Sequence, residues 1–386
     1  MFNKDFYINN RKKLYSSTND STIIIAGNGL VQSSADNAHS FRQDSNFYYL
    51  TGISEPNLFL ILDSKNNKEY ICYKQKTDIA KLFDGEYDFN EYAKSSGIAE
   101  FLEYKSAYNM IKNLKTKKVF FNFPNKKYDG IYNNPHQGYI LNKIKKFRIE
   151  AESINDILDE LRCIKQPLEI DSISRAVKIT KQVIQSAAID LESYNNEKEI
   201  LDKINIDFIK NSVKHGYAPM VAGGIRSTTA HYSKNNANLK SEDTLLLDIG
   251  AEYNRYTADI SRTFVIGENK FKTGLINEIY EIQKNLISLL KPGIYFKDIH
   301  KSAVEQITDL LLRNSFIKNK NDYVKYFPYS IGHFLGLDVH DVGNYQNPLK
   351  PNMILTIEPG IHIPEKQFGI RIEDDILITD TGSRVL

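Results

Sequence analysis

The stretch LLLDIGAEYNRYTADISRTF, residues 245–264, decides the fold. Its first residues are apolar and its last are rich in β-branched side chains, with Gly250 and Asn254 as turn formers between them. It therefore reads as a hairpin that brings Asp248 and Asp259 together. Two aspartates near a turn are ordinarily solvated or capping groups, and these gain weight from three motifs nearer the C-terminus. In YSIGHFLGLDVHD, residues 329–341, His333 and His340 stand seven apart, and Gly332 and Gly336 permit close backbone approach. MILTIEPGI, residues 353–361, sets Glu358 at the end of an apolar strand just before Pro-Gly, where an unpaired charge is costly to bury. GIRIEDDILI, residues 369–378, alternates so that Arg371 and Glu373 share one strand face and Ile370 and Ile372 the other. A surface ion pair is the plainer reading of that strand. Taken together, Asp248, Asp259, His333, Glu358 and Glu373 form an oxygen-rich ligand set whose negative charge two divalent cations can neutralise. The pattern points to a dinuclear hydrolase.

Outward from these motifs, the second part of the chain runs twice through one theme. Helical stretches Pro167 to Ser193 and Glu197 to His215, the latter stopped by Gly216, precede the β-rich sequence with Asp248 and Asp259. Two more, Thr273 to Leu290 and Tyr295 to Asn314, are split by Pro292-Gly293 and precede the β-rich sequence with His333, Glu358 and Glu373. The implied architecture is pseudo-twofold, with curved antiparallel sheet inside and helix pairs outside. Earlier in the chain an α/β pattern prevails, with strands at Thr22 to Gly27, Asn57 to Asp63 and Val119 to Phe123. Between Arg148 and Gln166 the sequence turns helical and polar, and Pro167 opens the next helix. The reading is an α/β domain over residues 1–160 and a catalytic domain over 161–386.

Composition narrows the function classes. A chain of 386 residues that is 41% apolar has a sizeable core, and 50 Lys and Arg against 48 Asp and Glu leave no field favouring nucleic acid or an acidic membrane. Cys72 and Cys163 lie far apart and match no zinc or disulfide spacing. No apolar run approaches the roughly 18 residues of a membrane span. A soluble, cytoplasmic protein is expected.

The motifs, with LRCIKQPLEI from Leu161 to Ile170 and AHYSKNN around His231, closely resemble the metallopeptidases of the pita-bread fold, specifically the aminopeptidase P and prolidase branch. FRQDSNFYYLTGISEP, from Phe41 to Pro56, is similar to the signature of that branch's creatinase/prolidase-type N-terminal domain. The resemblance implies release of the N-terminal residue from peptides with proline second, by water that two metals activate. Asp259 and Glu373 would bridge the metals, Asp248 would complete one, and His333 with Glu358 the other. Glu358 would shuttle the proton, His231 and His340 would bind substrate, and Arg371 would fix a ligand carboxylate. Mn²⁺ suits the oxygen-dominated set, with Co²⁺ or Zn²⁺ as substitutes. Phe83, in AKLFDGE, matches an aromatic that relatives contribute to a neighbouring subunit's pocket, which makes a homo-oligomer, dimer or tetramer, the expectation. An ordinary core Phe is the alternative.

The chain departs from its family at two positions. Four residues before the metal-binding His, relatives usually have another His where this chain has Tyr329, and after Glu-Pro-Gly they often have Tyr where it has His362. The expectation is that both line one site, Tyr329 donating to substrate and His362, a titratable group, standing near Arg371. Independent drift is the other reading. The chain ends at Leu386, where some relatives continue. Two rival functions remain: a prolidase restricted to Xaa-Pro dipeptides, and a metal-free pita-bread binding module, which the complete ligand set argues against.

Overall fold

The structure, a computed structural model, describes residues 2–18, 21–115, 118–124 and 131–386. The chain divides into two compact units, Met1–Leu161 and Arg162–Leu386. Among the described residues no helix is long and apolar enough to cross a membrane.

The first unit runs α1 (Lys4–Ser16), β1 (Thr22–Ala26), the hairpin β2 (Gln32–Ser34) and β3 (Asn37–Ala38), α2 (Ser45–Thr51), β4 (Leu58–Asp63), β5 (Lys68–Tyr73), α3 (Asp78–Asp84), α4 (Phe89–Ser96), β6 (Glu100–Glu103), α5 (Tyr104–Lys112), β7 (Lys118–Phe121), α6 (Pro135–Lys146), β8 (Glu150–Ser153) and α7 (Asn155–Cys163). Six strands make one mixed sheet in the order β6-β5-β4-β1-β7-β8. Thr22–Ala26 is buried along its whole length, as a central strand covered on both faces must be. Ile24, Phe59, Ile61 and Phe121 pack one face against Ala107, Ile111, Ile140 and Ile144 of α5 and α6. The helical, polar reading of residues 148–166 missed β8, which pairs in parallel with β7; a four-residue edge strand carries too short a pattern to declare itself.

The FRQD signature is a structural staple. Gln43 Oε1 accepts from the backbone N–H groups of Asn28 and Asp44 at 2.7 and 2.8 Å, and its Nε2 donates to Glu55 O at 2.8 Å. Asp44 caps α2 through Phe47 N at 2.9 Å and accepts from Gln137 Nε2 at 3.0 Å. Asn122 closes the knot, pairing with both backbone groups of Ala26.

The second unit continues with α8 (Pro167–Ala187), α9 (Glu197–Lys210), β9 (Lys214–His215), β10 (Met220–Gly223), β11 (Thr244–Ile249), β12 (Ala251–Tyr253), β13 (Tyr256–Thr257), β14 (Ile260–Val265), α10 (Lys270–Leu289), α11 (Phe296–Arg313), β15 (Ile354–Ile357), β16 (Gly360–Ile363), β17 (Phe368–Arg371), β18 (Asp374–Ile378) and β19 (Ser383–Val385). Each half is a helix pair followed by antiparallel strands: β10-β11-β14 and β13-β12-β9 in the first, β15-β18-β19 and β16-β17 in the second. Leu275, Ile279 and Leu286 of α10 join Ile299, Ala303 and Ile307 of α11 in a core with Leu355, Ile357, Ile370 and Ile376 of the strands. The helix expected to run from Glu197 to His215 ends at Lys210. Ser212 takes a positive φ of 55°, reversing the chain so that His215 pairs with Ala251. The strand partner overrides the weak helical pattern of the last turn.

Candidate active site

The hairpin at residues 245–264 forms as a two-residue turn, Asn254 and Arg255, both at positive φ, the conformation that twists with its strands. Gly250 is not part of the turn. It marks the break between β11 and β12, where a Cβ would lie 1.8 Å from Ala258 O. Thr180 Oγ1 of α8 accepts from Ala251 N at 2.9 Å and holds that break in place. Asp248 pairs in register with Ser261, and Asp259 precedes β14.

The second half delivers the other groups. His333 and Thr356 are tied through Thr356 N to His333 O at 2.8 Å, which fixes the GHF segment beside β15. His333 Nδ1 donates to Phe334 O at 3.1 Å, turning Nε2 toward the carboxylates. Glu358 sits just past β15, and Glu373 between β17 and β18. His333 Nε2 is 3.3 Å from Asp259 Oδ2, 3.7 Å from Glu358 Oε1 and 4.0 Å from Glu373 Oε1. One ligand atom each from Asp259, His333 and Glu373 lie within 4.8 Å of one another. Arg371 is 4% exposed and Glu373 2%, so the surface-pair reading of their strand fails. The Arg371 guanidinium pairs with Asp248 and donates through Nε to Ser261 Oγ at 2.9 Å.

Electrostatics reflect the crowding. Burial pushes Glu358 up to about 7, with His333 and Arg371 partly opposing. Glu373 is raised by burial and then by Asp259 and Glu358. Burial works against charge on His333, but its hydrogen bond to Asp259 and the charge of Glu358 carry the ring up to about 9. Burial alone would raise Asp259; the His333 and Tyr217 hydrogen bonds hold it below the usual carboxylate range. Burial raises Asp248, against the pull of Arg371. This donor chemistry fits divalent cations: clustered hard oxygen ligands, with one imidazole whose Nε2 is turned toward them and whose proton a cation would displace.

A cavity of about 230 Å³ opens onto Asp248 and Asp259 and is lined also by His231 and His340. The His340 ring meets that of His333 edge to face at 4.3 Å, and burial together with the charge of His333 lowers it to about 4. Tyr329 and His362 lie against each other, their rings edge to face at 5.5 Å, and neither is among the residues that line this cavity. Tyr329 is raised by burial and by Glu358 and Glu373, with Arg371 opposing. His362 donates from Nδ1 to Ser227 O at 3.1 Å, and burial next to Arg371 lowers it to about 4. It is therefore neutral at pH 7, contrary to the expected titration. Phe83 lies on α3 of the first unit, 79% exposed, which excludes a core role.

Three residues of the site escaped the sequence reading. The Tyr217 hydroxyl lies 2.6 Å from both Asp248 Oδ1 and Asp259 Oδ1. One hydroxyl has one hydrogen, so it donates to one of the two carboxyl groups at a time. Ser261 Oγ donates to Glu373 Oε2 at 2.7 Å, and Asp375 Oδ2 accepts from Asp259 N at 3.0 Å. Ser261 and Asp375 lie two residues beyond Asp259 and Glu373, so strand alternation alone points to them; Tyr217 stands in no motif.

Residues 171–380 match the model of metallopeptidase family M24, and residues 7–120 that of the aminopeptidase P N-terminal domain. The chain belongs to family M24. Within it, the chain is of the aminopeptidase P and prolidase type, with the pita-bread fold. It is 31% identical to a Xaa-Pro aminopeptidase of Haemophilus influenzae, over 91% of this chain and 86% of that protein. It is 29% identical to a Xaa-Pro dipeptidase of Pyrococcus furiosus, over 88% and 90%. The fold matches E. coli aminopeptidase P with the inhibitor Pro-Leu at a TM-score of 0.88 and 25% identity, covering all of this chain and 94% of that one. Membership of a metallopeptidase family implies divalent metal ions.

Proposed function

We propose that this M24 enzyme is a Xaa-Pro aminopeptidase that releases the first residue of peptides with proline second. The observation that carries the reading is the convergence of Asp248, Asp259, His333, Glu358 and Glu373 beneath a cavity whose wall holds His231 and His340. Two divalent cations, with Mn²⁺ preferred and Co²⁺ or Zn²⁺ as substitutes, would be held by those five residues. Bound there, they supply a lowered water pKa and polarisation of the scissile carbonyl. Glu358 takes a proton from the attacking water and delivers it to the departing proline nitrogen. That nitrogen carries no hydrogen of its own in the peptide bond, and general peptidases handle the restricted Xaa-Pro geometry poorly. His231 and His340 bind the substrate and the developing oxyanion, Arg371 orients Asp248, and Tyr217 spaces Asp248 from Asp259. Tyr329, whose ring packs on that of His362, donates to substrate.

The first unit governs substrate access and assembly. The exposure of Ile79, Leu82 and Phe83 on one short helix supports a homo-oligomer. The buried cysteines Cys72 and Cys163 are compatible with a cytoplasmic location. Similarity to the Pyrococcus dipeptidase over nearly the full length of both chains keeps a prolidase as the second reading. Cleavage of an Xaa-Pro dipeptide and an Xaa-Pro-Yaa-Zaa tetrapeptide, with Mn²⁺ and with chelator, separates them. Metal-dependent release of the first residue from the tetrapeptide supports the proposal, dipeptide cleavage alone makes the enzyme a prolidase, and inactivity on both favours a binding module.

A further inference from the structure

His340 makes no hydrogen bond of its own among the described residues, although its ring faces the cavity and touches that of His333. Its position is therefore set by the turn that carries it. That turn is gripped from beneath by one side chain. Arg162 Nη2 pairs with Asp338 Oδ2 at 2.9 Å and with Asp341 Oδ1, the two carboxylates that flank Val339 and His340. Lys165 Nζ stands 3.3 Å from the other Asp341 oxygen. The Arg162, Lys165 and Asp341 side chains are 3%, 1% and 1% exposed, so these charges are held away from water. Such a cluster is costly to bury and strongly destabilised by loss of a partner, and retaining one here has a use in fixing geometry. The turn is closed further by Asp341 N to Phe334 O at 2.8 Å and by Gly336, where a Cβ would lie 1.9 Å from Asp341 Oδ2. Thr257 N donates to Gly336 O at 3.0 Å, joining the turn to the strand that leads to Asp259.

We propose that Arg162 is a positioning residue for His340, acting through Asp338 and Asp341, so that the imidazole stands at a fixed place on the cavity wall. Both contacts come from Nη2 of the planar guanidinium; a lysine there ends in a flexible point charge that does not hold a nitrogen in the same place. The proposal rests on the peptidase reading for what His340 touches, but not for how it is held.

Three readouts test it on the full chain, using R162K and D338N in the native and H340A backgrounds. R162K lowers kcat/KM for the metal-saturated tetrapeptide about tenfold when His340 is present and less than about twofold when it is not, because a residue acting through His340 has nothing left to position. The imidazole NMR resonances of His340 shift in R162K and D338N without substrate. Mn²⁺ affinity by isothermal titration stays within about twofold of native, since the ligand side chains are not those being moved. Equal losses in both backgrounds, unshifted His340 resonances in a folded variant, or Mn²⁺ affinity falling in step with turnover each overturn the proposal. D338N removes one arm of the grip at a side chain that is 34% exposed, and so keeps the test open if R162K does not fold. Should the native chain cleave neither peptide, the peptidase reading fails while the NMR result still decides the role of Arg162.

Discussion

Each unit buries a polar cluster, and the two are built on opposite principles. Around Gln43, Asp44 and Asn122 the partners are amides, backbone groups and a helix N-terminus, with donors matched to acceptors at 2.7 to 3.3 Å. Around Asp259 the carboxyl groups of Asp248, Glu358 and Glu373 crowd one guanidinium and one imidazole, so carboxyls outnumber the cationic groups that could pair with them. The first cluster is complete as it stands. The second is held in a state that the protein alone does not neutralise, as shown by Glu358 and Glu373 rising and His333 climbing to about 9. A buried polar group that is satisfied stabilises a fold; one that is crowded and unsatisfied marks a place for something else.

The contrast breaks most visibly on substitution. Glu358→Gln removes the proposed proton carrier and metal ligand while keeping the shape, and turnover of the tetrapeptide should fall by about a thousandfold or more with melting temperature nearly unchanged. A residual rate within tenfold of native would remove Glu358 from the chemistry. Gln43→Ala should do the reverse, costing about 1–3 kcal/mol of stability through unsatisfied backbone groups while leaving kcat near native. Denaturant unfolding beside steady-state kinetics tells these cases apart.

Acidity sharpens the comparison. In the metal-free chain the folded state holds the Glu358 proton up to about pH 7 and the His333 proton up to about pH 9, whereas an unfolded Glu and His release theirs near 4.5 and 6.5. Where the folded state binds more protons, stability falls as pH rises. His340 and His362, both lowered to about 4, act oppositely below pH 6.5, so the fall is cleanest between pH 7 and 9. A divalent cation replaces those protons, so Mn²⁺ should raise the melting temperature more at pH 8.5 than at pH 6.5, by several degrees on the order expected for ligand linkage. Scanning fluorimetry reads this directly; an equal gain at both pH values would argue against proton displacement. The smallest effect is beside His362: Tyr329→Phe should lower kcat/KM by about three- to tenfold with Mn²⁺ affinity unchanged, the cost of one hydrogen bond. Unchanged turnover would leave Tyr329 as packing.

Much of this architecture was legible in the chain. The IRIE spacing brought Arg371 and Glu373 into one site although the strand ends at Arg371, Pro-Gly marked the end of β15 at Glu358, and the doubled helix-pair pattern gave the two halves. Residues whose role depends on distant partners were not legible. Tyr217 lies 31 residues from Asp248 and 42 from Asp259, in a segment without periodicity. Gly250 read as a turn former because glycine serves turns and close approaches alike, and only the position of Ala258 O distinguishes them. The neutral state of His362 is equally a matter of burial, which one sequence does not report.

Isothermal titration of Mn²⁺ into the chelator-stripped full chain at pH 8 tests most directly whether the crowded cluster awaits cations. Two ions bound per chain, with the heat of at least one abolished in Asp259→Asn, is the predicted result. Absence of binding, or binding that Asp259→Asn leaves intact, would contradict the account.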